Sequence, residues 1–182
     1  MNSKRSRKER GAGLIILIMV TAFLLAVGLL LVFVTGTGPV VAGNIRMQER
    51  AFNAAEAGFD AAWRFLSENI MGGSVGDFSS LYRTTFDGQP GLDLPDSEYY
   101  FRKRTDQELV ADVVTNHAIP TDALFVEQAL LNDPSLAYTV FIINDEAMFG
   151  VTPNDRDCIL ICIGRAGNDT FARIEVEIEI QN

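Results

Sequence analysis

Six oxygen-bearing side chains stand on either side of Pro153: Asn144, Asp145 and Glu146, then Asn154, Asp155 and Asp157. Oxygen ligands gathered in a loop suit Ca²⁺. The spacing is not that of an EF-hand, and Gly150 lies between the two groups. A solvated acidic loop is therefore the default reading. Asp145, Asp155 and Asp157 are the only metal candidates, and no metal or other cofactor is expected. Cys158 and Cys162 are four apart. On a strand they share a face but lie about 13 Å apart at ~3.3 Å per residue, beyond the ~7 Å that a disulfide spans. Buried thiols are expected. A CxxxC pair without further Cys or His ligands is not a zinc site. The single His117, just before Ala118-Ile119-Pro120, reads as a loop residue. No side chains here pair a nucleophile with a base, so an enzyme is not expected.

What must position any site is an unevenly charged chain. The 182 residues carry a net charge of −9, with 48% hydrophobic residues, far too apolar for disorder. Net acidity argues against nucleic acid as a partner. The first ten residues hold Lys4, Arg5, Arg7, Lys8 and Arg10 against Glu9, or +4, and the next charge is Arg46. Within the gap, Leu14 to Val34 contains sixteen Leu, Ile, Val or Phe among 21 residues. A bilayer core of ~30 Å needs about 20 apolar residues as a helix, and sixteen such residues favour insertion by about 5–9 kcal/mol. The basic cluster is expected to stay in the cytoplasm and the rest to cross outward. A cleaved secretory signal fits less well, because the apolar run exceeds the usual 7–15-residue core. No Cys directly follows the run, so a lipid anchor is not expected.

Thr35-Gly36-Thr37-Gly38-Pro39 predicts a melted or kinked stretch, since Gly costs about 1 kcal/mol and Pro about 3 inside a helix. Helical spacing resumes near Val40 and predicts an apolar face of Phe52, Ala55, Phe59, Ala62, Trp63 and Leu66, ending near Met71-Gly72-Gly73. Residues 72–97, rich in Gly, Ser, Asp and Pro, read as loop. Tyr99 to Arg102 reads as a short strand. Thr121 to Leu131 reads as a helix capped by Thr121 or Asp122. Ala137–Asn144, Cys158–Gly164 and Arg173–Ile180 read as strands. The last alternates Ile174, Val176, Ile178 and Ile180 with Glu175, Glu177 and Glu179, the pattern of a half-buried antiparallel strand. Gly167-Asn168-Asp169-Thr170 predicts the hairpin turn before it. The fold class expected is α+β, a long helix laid on a small antiparallel sheet.

That order of parts resembles type IV pilins and pseudopilins, nearest to the PilX/PilW group of minor pilins. Three stretches carry the resemblance: Arg10-Gly11-Ala12-Gly13-Leu14-Ile15; Ala42-Gly43-Asn44-Ile45-Arg46; and Ala51-Phe52-Asn53-Ala54-Ala55-Glu56-Ala57-Gly58. The third is the most specific, and the match covers about the first 66 residues. The resemblance implies a prepilin leader at 1–11, a filament-core helix at 12–38, an amphipathic continuation at 39–71 and an α+β head at 72–182. It implies cleavage of Gly11–Ala12 by a prepilin peptidase, N-methylation of Ala12, and packing of Leu14, Ile15, Ile16 and Leu17 in the filament core. Gly before the cut makes physical sense, because it lets a protease approach the backbone closely.

One position departs from the pattern. Major pilins carry Glu at the fifth mature residue, where this chain has Ile16. In the family that Glu is held to pair with the N-terminal amine of a neighbouring subunit. A buried charge without a partner is costly, so a subunit with Ile16 fits best where nothing lies above it, at the filament tip. The partners implied are other major and minor pilins, the peptidase, the inner-membrane assembly platform and the membrane. A minor pseudopilin of a type II secretion system is the alternative, although its tip subunit usually has a head much larger than the about 110 residues after the long helix here. A single-pass anchored adhesion or binding domain is the other, and it would keep its leader.

Overall fold

The computed structural model describes residues 5–71, 77–116, 123–144, 155–167 and 169–180, with the backbone alone at 5–12, 36, 37, 70 and 71. The chain divides into two units, Met1–Ile45 and Arg46–Asn182. Its first element is α1, Arg5–Leu66, which closes on a π-type turn at Ser67–Met71.

In the first unit, the side chains described from Gly13 to Ile45 are exposed. Residues 35–39 are helical, with Pro39 inside α1, so the stretch is not melted. Melting here would strip backbone groups of their ladder partners beside an uncharged apolar run, a larger cost than the local Gly and Pro preference. The Thr35 hydroxyl adds bonds to the carbonyls of Leu31 and Val32 at 2.8 and 3.2 Å.

In the second unit, four antiparallel strands form one sheet in the order β3-β4-β5-β6: Phe125–Leu130, Asp133–Ile143, Asp157–Ala166 and Thr170–Glu179. The α+β class expected from the sequence is the observed one. Residues 46–66 of α1 cover one face. Ala62, Leu66, Phe78, Val140, Ile142, Cys158, Leu160 and Cys162 form the core there. The other face is also covered, which the sequence reading missed. Helix α2, Asp106–Thr115, packs Leu109, Val110 and Val113 with Phe86, Leu92 and Phe101 onto Phe141, Ile143, Ile161 and Ile163. This explains why β5 reads as an unbroken apolar run: a strand buried on both faces needs no alternation. β6 keeps its alternation, with Glu175, Glu177 and Glu179 exposed and Ile174, Val176 and Ile178 half-buried.

Two predicted elements are of the wrong type. The stretch called a helix at 121–131 lies outside the described residues up to Asp122 and then forms β3, because pairing with β4 satisfies its backbone. The chain turns at Leu131 and Asn132, and Asp133 and Pro134 begin β4. Tyr99 to Arg102 is not a strand but leads into a single 3₁₀ turn, Phe101–Lys103, that buries Phe101. The predicted loop at 72–97 is described from Asp77 and contains a two-residue hairpin, β1 (Thr85–Phe86) and β2 (Gln89–Pro90), turning at Asp87-Gly88 with φ of +51° and +73°. An Asp-Gly turn with both residues at positive φ matches the twist of the strands it joins.

A buried ion pair ties this segment to α2. Arg83 and Asp112 are 2% and 3% exposed and bonded to each other. The Asp112 carboxylate also accepts from the Asp87 backbone N–H and the Asn116 side-chain amide, each at 2.6 Å. A buried carboxylate with three donors is compensated, and removing one partner would strand a charge.

Candidate functional site

The residues that the resemblance singles out fall along α1. Gly11 and Ala12 lie in its helical backbone. Leu14, Ile15, Ile16 and Leu17 are each 61–62% exposed. Ala42, Gly43 and Asn44 are exposed as well. An uncharged apolar helix surface with water on it is unstable, since each such side chain favours an apolar surrounding by roughly 1.5–3 kcal/mol on full burial. This surface needs a lipid or protein partner. The helix is long and apolar enough to cross a membrane.

The most specific stretch, residues 51–58, does something different. Ala51, Ala54, Ala55 and Gly58 are buried, while Phe52, Asn53 and Glu56 point outward and Ala57 is half-buried. The predicted apolar face is therefore corrected. Ala55, Ala62 and Leu66 are buried and Phe59 half-buried, but Phe52 and Trp63 are 45% and 52% exposed. The reason is steric. A Cβ on Gly164 of β5 would stand 2.0 Å from the Ala51 carbonyl oxygen and 2.3 Å from the Ala55 nitrogen. Helix and strand backbones meet there, and only small residues fit between them. A Cβ on Gly58 would come within 3.1 Å of the Tyr138 ring. The alanines of the motif are a seat for the sheet, Phe52 and Trp63 are left exposed, and Phe59, which packs against the core, stacks with Trp63 at 6.3 Å.

Charge fixes the register of this seat. Arg50 donates to Asp133 at 2.5 Å and to the Ser135 hydroxyl at 3.2 Å, joining α1 to the start of β4. The Ser135 hydroxyl and then the Arg50 guanidinium hold the Asp133 carboxyl below its usual value. Both partners are about two-fifths exposed, so solvent screens the pair and its role is orientation more than stability. Beside Ala57 an open groove of about 410 Å³ runs past Phe125, Gln128, Leu130, Leu131 and Tyr138.

Two of the three metal candidates, Asp155 and Asp157, lie among the described residues. Asp145 lies outside the described residues, with Glu146, Asn154 and His117. Asp155 is an exposed turn residue whose carbonyl accepts from the Phe78 N–H at 2.8 Å. The carbonyl of Asp157 takes the Tyr82 hydroxyl at 2.7 Å. Among the described residues no three His, Cys, Asp or Glu side chains come together as metal ligands. Cys158 and Cys162 are buried thiols not bridged to each other, as the strand spacing requires. Burial pushes the Cys162 thiol up to about 12.

Sequence reasoning missed Gly164 as a site residue. The signal was present, as a lone Gly inside an otherwise β-rich apolar run marks a close backbone approach. Comparison with protein-family models, with curated proteins and with solved structures finds no match to this chain.

Proposed function

We propose that this chain is a minor subunit of a type IV pilus, of the PilX kind, which takes part in assembly at or near the filament tip. The observation that carries the reading is the joining of two unlike surfaces in one helix. Leu14 to Val34 is uncharged and exposed, and residues 51–58 form a small-residue seat for a folded head. The first suits lateral storage in a bilayer and then packing among equivalent helices, an exchange driven by side-chain fit because lipid is equally apolar. The second seats the head on the later part of the same helix. The +4 leader keeps the N-terminus cytoplasmic, so the head faces the periplasm and later the cell surface. In this reading a prepilin peptidase cuts Gly11–Ala12, an inner-membrane platform extrudes the subunit, and the chain performs no bond-making chemistry of its own. Ile16 supplies no carboxylate for a subunit above, which favours the tip.

Epitope labelling of fibres tests the placement. Label at one fibre end, with fibres lost on deletion of the gene, is the expected result. Label spread evenly along fibres would remove the tip assignment.

A further inference from the structure

The sheet has two edges, and they are built differently. At one edge the register of β3 with β4 shifts between Phe125 and Gln128 and again between Ala129 and Leu130, and Glu127 has φ of +41°. Bulges of this kind turn an edge away from further pairing. At the other edge β6 is regular. All ten residues from Thr170 to Glu179 pair with β5 in unbroken register. Among the described residues no strand lies beyond it. It contains no Pro and no bulge, so what guards it is its charged side chains. Every second residue of an antiparallel edge strand turns its N–H and C=O away from its neighbour, so this edge offers a ladder of backbone groups.

Charge decides what can use that ladder. Glu175 meets Arg102 at 2.9 Å and Arg173 at 3.4 Å. Glu177 and Glu179 are exposed, and no ion pair reaches them among the described residues. Like charges on facing strands destabilise pairing and opposite charges favour it. A second β6 laid alongside would set glutamates against glutamates, so the edge rejects its own copy. A strand with Lys or Arg at alternate positions would match the glutamate row. Its intervening apolar residues would extend the face formed by Ile174, Val176 and Ile178. Specificity then comes from repulsion of one partner and attraction of the other.

We propose that β6 is a strand-addition site for an extended segment of a partner protein that alternates basic and apolar residues. Backbone pairing supplies affinity in this mode, and the alternate side chains supply selectivity. The proposal does not depend on the pilus reading.

The test uses the full chain in nonionic detergent. It is titrated with fluorescent Lys-Val-Lys-Val-Lys-Val-Lys, with the same peptide N-methylated at alternate backbone amides, and with a Glu-Val counterpart. Saturable binding of the first is expected, at least tenfold weaker for the methylated form and weaker still for the acidic one. The Glu177→Lys/Glu179→Lys variant should move the preference to the Glu-Val peptide. Equal binding of methylated and unmethylated peptides by the unaltered protein would overturn the proposal. So would an unchanged preference in the variant, no binding at millimolar peptide, or cross-linking of two β6 edges to each other.

Discussion

At the scale of single residues, the contact between α1 and β5 turns on Gly164. Any side chain there meets backbone atoms of Ala51 and Ala55 and not a flexible tip. Gly164→Val should cost about 3 kcal/mol or more and lower the thermal unfolding midpoint of the head, read by circular dichroism. Gly28→Ala, where a Cβ meets nothing within 4 Å, should leave that midpoint unchanged. Cys162 gives a second prediction. Its thiol is raised from 9.0 to about 12 by burial. Between these values the unfolded chain has lost the proton and the folded chain has kept it, so stability is full below about pH 9 and falls as pH rises toward 12. Cys162→Ala should flatten that fall. In the folded protein at pH 8, Cys162 should resist iodoacetamide, and intact mass should show its alkylation only after denaturant is added. That the two thiols do not bridge each other was legible from their strand spacing. The close approach at Gly164 was not, because it depends on where α1 crosses β5.

At the scale of elements, legibility followed the strength of local pattern. β6 was read correctly because its alternation has one buried side and one solvated side. β5 was read as a strand, but its second covered face was not anticipated, since the helix that covers it went unseen. That helix has a start signal. Thr105 accepts from the Glu108 N–H at 3.3 Å, and the Glu108 side chain accepts from the Thr105 N–H at 2.8 Å, a complete capping box in Thr-Asp-Gln-Glu. Thr105→Ala should cost about 1 kcal/mol, read as a lower denaturant midpoint for the head. The Thr105 backbone and hydroxyl hold the Glu108 carboxyl below its ordinary value of 4.5. The capping contribution is thus present above that value and lost as pH falls below it. β3 was misread for the opposite reason. Its local composition suits a helix, and only the partner strand β4 makes it extended, a tertiary override of weak propensity.

At the scale of the whole molecule, the long helix was the most legible feature, because its signal is 35 uncharged residues between Arg10 and Arg46. The chain at 35–39 is not melted, because opening the helix there would leave backbone groups without partners beside an apolar run. Leu24 lies near the middle of the apolar run. Replacing Phe23, Leu24 and Leu25 together with Arg should weaken insertion by about 9 kcal/mol, enough to cancel the gain from the apolar run and shift protein from the alkali-resistant membrane fraction to the extractable one. Ile16→Glu belongs to the same scale: under the tip reading it should let the subunit enter along the fibre, visible as label spread away from the end. The pilus reading depends on one underlying event, the removal of the basic leader before the helix leaves the bilayer. Intact-mass analysis of the membrane-extracted protein measures it directly. The account predicts a chain that begins at Ala12 and carries one added methyl group on its amine. A chain that retains Met1 through Gly11 in cells that are making fibres would contradict it.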